Sequence, residues 1–293
     1  MHTVKINNDE YRLPSCWDDL TPRQLRFLVR LTQKEISLEH LKIYMMLYCL
    51  NARVTNDRRI WGRTLQLRLG IEDTHTRLRI GRKKYDLLPE EVVALSGLMG
   101  FLIERERTVQ RPDYPYFKNS DRYYIKPDLF VNPYPKLRIR LHRFTGPDDG
   151  LYDITFEQYV YLQTYLDAMR EEPQKIDWVL ACVWHRGKTF DINRLERDAA
   201  LLHRFTADRK MVMYWFVSSC LSNLGAMFPR LFIGGEKRIK NNVLDSQLRL
   251  LDSLANHDMT KKDAVRKGLL MDALYAMDES VREKEELEER MKG

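Results

Sequence analysis

The sequence predicts a mainly α fold with short β-hairpins (α+β), built as a tandem duplication of one strand-plus-helices module. Three observations predict it. "SCWDDLTPRQLRFLVRL", Ser15 to Leu31, has a near-echo in "GLYDITFEQYVYLQTYL", Gly150 to Leu166. Upstream, "HTVKINNDEYRLPSCWDDLT" faces "KLRIRLHRFTGPDDGLYDIT": each has an alternating apolar and polar run, then a turn-prone stretch, as a half-buried strand and its exit require. Downstream, "KIYMMLYCLN" faces "KIDWVLACVWH", setting Lys42, Ile43, Leu47 and Cys49 opposite Lys175, Ile176, Leu180 and Cys182. Similar pieces in a fixed order mark a repeated supersecondary unit.

Within each unit a strand or hairpin comes first, and the helix that follows announces its start. Thr21 and Thr155 are N-cap residues whose hydroxyls accept a free N–H of the first turn, and Pro22 suits the first helical position because its missing N–H would be unpaired there. Gln24 and Gln158, three residues on, complete capping boxes. The residues most alike in the two halves therefore begin helices, and Thr21, Gln24, Thr155 and Gln158 form a structural signature. Leu25, Leu28, Val29 and Leu31/Thr32 make the inward stripe of the first helix, with Tyr159, Leu162, Gln163 and Tyr165/Leu166 as counterparts. A third helix is expected in each unit, in "LLPEEVVALSGLMGFLIE" and "FTADRKMVMYWFVSSCLS".

These elements divide the chain into a first module at 1–110, a joint at 111–136, a second module at 137–240 and C-terminal helices at 241–293. The joint, "RPDYPYFKNSDRYYIKPDLFVNPYPK", carries five prolines among tyrosines and phenylalanines, so it packs over a surface without forming a regular helix. Near the end, Val243, Leu244, Leu248, Leu251 and Leu254 have helical spacing. A second helix opens at Asp258 or Thr260, with Val265, Leu269, Leu270, Ala273, Leu274 and Met277 inward. From Glu279 onward the chain reads as a frayed charged helix that a partner helix would order.

The first module is the longer one, because it carries an insertion at 52–84. "RTLQLRLGIEDTHTRLRIGRKKY" alternates through Leu65, Leu67 and Leu69, breaks at "GIEDT", and resumes with Leu78 and Ile80, which is a hairpin pattern. The insertion holds ten basic residues against Asp57, Glu72 and Asp73, and so matches the whole chain's formal charge of +7. Arg58, Arg59, Arg63, Arg68, Arg77, Arg79, Arg82, Lys83 and Lys84 are the candidate contacts for an anionic partner. Trp61 and Tyr85 are the candidate stacking residues if that partner is a nucleic acid. An acidic protein surface and a merely solvated face fit the same charges.

The pattern excludes several chemistries. Cys16, Cys49, Cys182 and Cys220 form no C-x-x-C pair and lie at no ligand spacing from a histidine; Cys49 and Cys182 sit in apolar helical runs as core residues, and no metal is expected. His142, His185 and His203 are isolated, no serine or cysteine sits in a nucleophile elbow, and the Asp pairs at 18–19 and 148–149 precede helix starts, where carboxylates favour the dipole. "FIGGEKRIK", Phe232 to Lys240, reads as a helix stop and not as a phosphate loop. No catalytic residues and no cofactor are expected. No apolar run reaches the roughly 18 residues of a membrane span, so the expectation is a cytosolic protein, unless an assembly carries it out of the cell.

"LPSCWDDLTPRQLRFLVRL", "DITFEQYVYLQTYL" and "LANHDMTKKDAV" together resemble proteins of phage and prophage tail-gene clusters, in which a Trp-x-x-Leu-Thr-x-x-Gln helix start recurs. The resemblance covers about a fifth of the residues and carries over no functional residue. It implies a non-enzymatic role in particle assembly, as a tail-assembly chaperone engaging a helical protein partner or as a virion component. Nucleic-acid binding through the Arg-rich insertion is the alternative.

Overall fold

The N-terminal hairpin pairs β1 (His2–Ile6) with β2 (Asp9–Leu13) in antiparallel register, Val4 opposite Tyr11 and Lys5 opposite Glu10. The structure is a computed structural model, and it describes residues 1–55, 76–107, 121–232, 252, 258 and 260–292. Alternation puts Val4, Ile6 and Leu13 inside. A 3-10 turn at Trp17–Asp19 follows, anchored by buried Trp17, whose indole N–H donates to the Phe101 carbonyl at 3.1 Å. Helix α1 (Pro22–Thr32) then starts at a complete capping box: Gln24 N–H to Thr21 Oγ1 at 3.3 Å, and Thr21 N–H to Gln24 Oε1 at 2.8 Å. The expected stripe is buried at Leu25, Leu28, Val29 and Leu31. It packs against α2 (Leu38–Cys49).

The chain clusters into two compact units, Met1–Asp128 and Leu129–Gly293. After α2 the first unit forms a three-stranded antiparallel sheet in the order β3 (Ala52–Val54), β4 (Thr76–Ile80), β5 (Lys83–Leu87). The strand partner expected at Leu65, Leu67 and Leu69 lies outside the described residues. The third helix is shorter than the sequence suggests: α3 (Pro89–Ser96) gives way to a 3-10 helix at Gly97–Leu102. Gly97 and Gly100 weaken an α-helix by roughly 1 kcal/mol each, which accounts for the break. A hairpin of β6 (Ile103–Arg107) and β7 (Asp121–Ile125) follows, so part of the Pro- and Tyr-rich stretch is paired strand.

The second unit opens in the same order. β8 (Lys136–Ile139) pairs with β9 (His142–Thr145), a 3-10 turn spans Asp149–Leu151, and α4 (Phe156–Ala168) starts at the Thr155/Gln158 capping box. Asp19 and Asp153 close equivalent loops: the first accepts the Ser15 N–H and the second the Asp148 N–H, both at 2.8 Å. Helix α5 (Ile176–Val183) then holds the same place in the order as α2 does in the first unit, and α6 (Ile192–Leu202) and α7 (Ala207–Met227) follow. Of the stripe expected on α4 only Leu162 is fully buried, joined by Phe156 and Gln158. Later chain covers the start of the helix: Phe156 N–H donates to Gly268 O at 3.0 Å and Leu270 N–H to Ile154 O at 2.9 Å.

The expected C-terminal helix is two helices, α8 (Lys262–Lys267) and α9 (Leu270–Lys292), split where Gly268 turns extended. Leu270, Leu274 and Met277 are buried, whereas Val265 is half-buried and Leu269 is exposed. The charged tail is helical through Lys292, with Arg282 pairing with Glu279 and Glu286 on its surface. The first C-terminal stripe, Val243 to Leu254, lies outside the described residues. Thus the fold is mainly α with short antiparallel hairpins, and among the described residues no helix is long and apolar enough to cross a membrane.

Candidate functional site

Three surfaces stand out, and the basic sheet of the first unit is the one the sequence pointed to. Its inner face carries Leu78, Ile80, Tyr85 and Leu87, all buried, and its outer face carries Arg53, Arg77, Arg79 and Lys84. Arg53 lies directly opposite Arg79, and Arg79 opposite Lys84, so three exposed cations form a row across three strands about 4.8 Å apart. Several cations of the sheet have partners: Arg79 Nε–H donates to the Gly81 carbonyl at 3.1 Å. Arg77 pairs with Asp86 at 2.8 Å, and Lys83 pairs with Asp9 of the N-terminal hairpin. Tyr85 is buried, with its hydroxyl donating to Asp9 at 2.6 Å and meeting the Tyr11 hydroxyl at 2.5 Å. It therefore clamps the hairpin to the sheet and does not stack on a base, contrary to the sequence-based expectation. Arg58, Arg59, Arg63, Arg68 and Trp61 lie outside the described residues, as does residue 233 onward of the Gly-Gly stretch; Arg82 is exposed at the β4–β5 turn.

The second surface is an apolar cleft of about 370 Å³ in the second unit, between the 3-10 turn and the end of α7. Phe130, Tyr152 and Met227 rim it with 37%, 42% and 46% of their surface exposed, and Cys220 and Leu224 form its buried floor. The wall is held from behind. Asn132 N–H donates to Asp149 at 2.7 Å and the Asn132 amide to Pro147 O at 2.6 Å, while Gly150, at φ 68°, lets Phe130 come so close that a Cβ would sit 2.6 Å from its ring. Phe130 meets Tyr152 edge-on at 5.7 Å. No sequence motif marks this cleft, because its lining comes from three separate segments.

The third is a smaller polar pocket of about 160 Å³ beside the α4 capping box, lined by Asp153, Thr155, Gln158, His185 and Lys188 among others. His185 is fixed by a two-way backbone bridge to Thr145 (3.0 and 3.1 Å). Its Nδ1 is buried without a hydrogen-bond partner among the described residues, and burial holds its pKa below the ordinary histidine value. Desolvation pushes the Asp153 carboxyl up. Gln158 does more here than cap: its side-chain N–H reaches the Cys182 carbonyl at 3.0 Å, a buried tie from α4 to α5, whereas Gln24 is only half-buried. Of the other histidines, exposed His203 bonds the buried carboxylate of Asp177 at 2.7 Å, which Lys210 also meets at 2.9 Å. His142 stands exposed on β9.

The cysteines follow burial: Cys182 and Cys220 are buried, Cys49 is half-buried and Cys16 exposed. Burial pushes the Cys49 thiol up to about 12 and the Cys182 thiol in the same direction. Neither is an activated nucleophile. Among the described residues no group of three His, Cys, Asp or Glu side chains is placed to hold a metal ion. Compared with known protein families, curated proteins and solved structures, the chain matches none.

Proposed function

We propose that this chain is a non-enzymatic assembly or structural interaction protein of the phage-tail type, acting as a chaperone that holds a helical protein partner. The apolar cleft of the second unit carries the reading. Three large apolar side chains around one open concavity are more than a folded surface usually leaves to water, and such a concavity suits an apolar anchor on one face of an amphipathic helix. The shared order of hairpin, 3-10 turn, capping-box helix and second helix in both units is further support: duplication of an interaction module yields a single-chain pseudo-dimer. The test is co-expression with each long helical protein encoded beside it, followed by affinity capture. A Tyr152→Arg, Met227→Glu variant is expected to lose at least tenfold in capture with an unchanged melt. Equal capture by wild type and variant, or capture of no neighbour, sinks the reading. The second reading, nucleic-acid binding through the insertion, is favoured by Arg79 standing opposite Lys84, since like charges placed face to face cost stability unless an anion meets them. DNA affinity that survives Arg79→Glu and Lys84→Glu removes that sheet as the contact.

A further inference from the structure

The two N-terminal hairpins of the units are alike in register and differ in charge, the first balanced and the second wholly cationic. In the first, the outward cross-strand pair is Lys5 and Glu10, bonded at 3.1 Å. The pair at the same place in the second hairpin, one step from the turn, is Arg138 opposite Arg143. Lys136, on the same outer face, and Arg140, at the turn, are also exposed, and neither strand carries an acidic residue. None of these four cations has an ion-pair partner among the described residues. Arg140 holds φ 54° at the turn, the place of Asn7 at φ 54° in the first hairpin. Asn tolerates that left-handed conformation much better than Arg does. Beside it, Leu141 projects with 86% of its surface exposed. The β8–β9 hairpin thus accepts two local costs, facing like charges and a strained arginine, for which its counterpart shows the cheaper solution.

We propose that the β8–β9 hairpin is a β-ribbon contact for duplex nucleic acid, its arginines and lysine meeting phosphates and Leu141 entering the groove. A two-stranded ribbon fits the major groove, arginine forks match phosphate oxygens, and a lone leucine between cations serves as a wedge at a base step. A membrane surface would call for a broader apolar face than one leucine. This inference is independent of both readings above, since it uses neither the apolar cleft nor the insertion.

The test is anisotropy titration of the full chain against a random-sequence 20-base-pair DNA duplex at about 50 and 200 mM salt. Four phosphate contacts give a salt slope near −3.6, or roughly a hundredfold loss of affinity over that range. Arg143→Glu restores the facing-charge arrangement of the first hairpin. It is expected to weaken binding at least tenfold and flatten the slope by about one while the melting midpoint holds or rises, a combination that damage to the fold does not produce. Leu141→Ser is expected to weaken binding several-fold at an unchanged slope. The proposal is overturned by any of four results: no DNA binding at low salt, undiminished binding by Arg143→Glu, loss only on Arg79→Glu and Lys84→Glu, or equally tight Arg143-dependent binding to phosphatidylserine vesicles or polyglutamate.

Discussion

His185 shows how one side chain makes stability depend on pH. Burial lowers its pKa, with Asp198 and Asp153 only partly offsetting it, so the folded unit binds this proton more weakly than the unfolded chain does. The contribution is complete above the ordinary histidine value of about 6.5 and is lost as pH falls below it. Thermal melts at pH 7.5 and 5.5 are expected to show a smaller drop for His185→Phe than for wild type; equal drops would assign the acid sensitivity elsewhere. Gly146 is a second such residue. A Cβ there would stand 2.8 Å from the Tyr134 carbonyl oxygen and run into the Trp184 indole, whose N–H donates to that same oxygen at 2.8 Å. Gly146→Ala is expected to cost about 1–3 kcal/mol in denaturant unfolding, as overpacked sites do. Thiol chemistry orders the cysteines: Cys16 should react with an alkylating reagent in the native protein, and Cys182 and Cys220 only on unfolding, as peptide mapping would show.

At the scale of elements, the two capping boxes are the same device placed in different surroundings. Thr21→Ala and Thr155→Ala should each cost about 1 kcal/mol. Gln24→Ala removes only an exposed cap bond, whereas Gln158→Ala also strands the buried Cys182 carbonyl, a further cost of about 1–3 kcal/mol. Chemical denaturation of the four variants tests the asymmetry, and equal costs for the two glutamines would refute it. Helices α5 and α7 are tied by Asp177, which is 1% exposed, and Lys210. The capping boxes were legible because three residues and their spacing determine them. The tie from Gln158 to α5 was not, because its acceptor lies 24 residues away on another helix. The same distinction explains the basic insertion. Alternation put Arg77 and Arg79 outside, as the structure has them, but Tyr85 reads as an exposed aromatic until Asp9 and Tyr11 are brought against it from the first hairpin.

For the whole molecule, each unit has a core of its own: Leu25, Leu28, Met45, Leu78 and Met99 in the first, Phe144, Phe156, Trp184 and Phe216 in the second. A chain of residues 129–293 expressed alone is expected to melt cooperatively by calorimetry; a broad, heatless transition would show that the core does not stand by itself. The sequence by itself determined the class of fold, the starts of the two capped helices and the alternation of the strands. Each of these is set by hydrogen bonds and side-chain alternation within about a dozen neighbouring residues. Only the tertiary structure decided which cations lack a counter-charge, which apolar side chains stay open to water, and how α8 and α9 return to cover the start of α4. Counter-charges, exposure and coverage are contacts between distant parts of the chain. The arginines of "KLRIRLHRF" therefore read as ordinary polar positions in the sequence, and only pairing β8 with β9 sets two of them face to face.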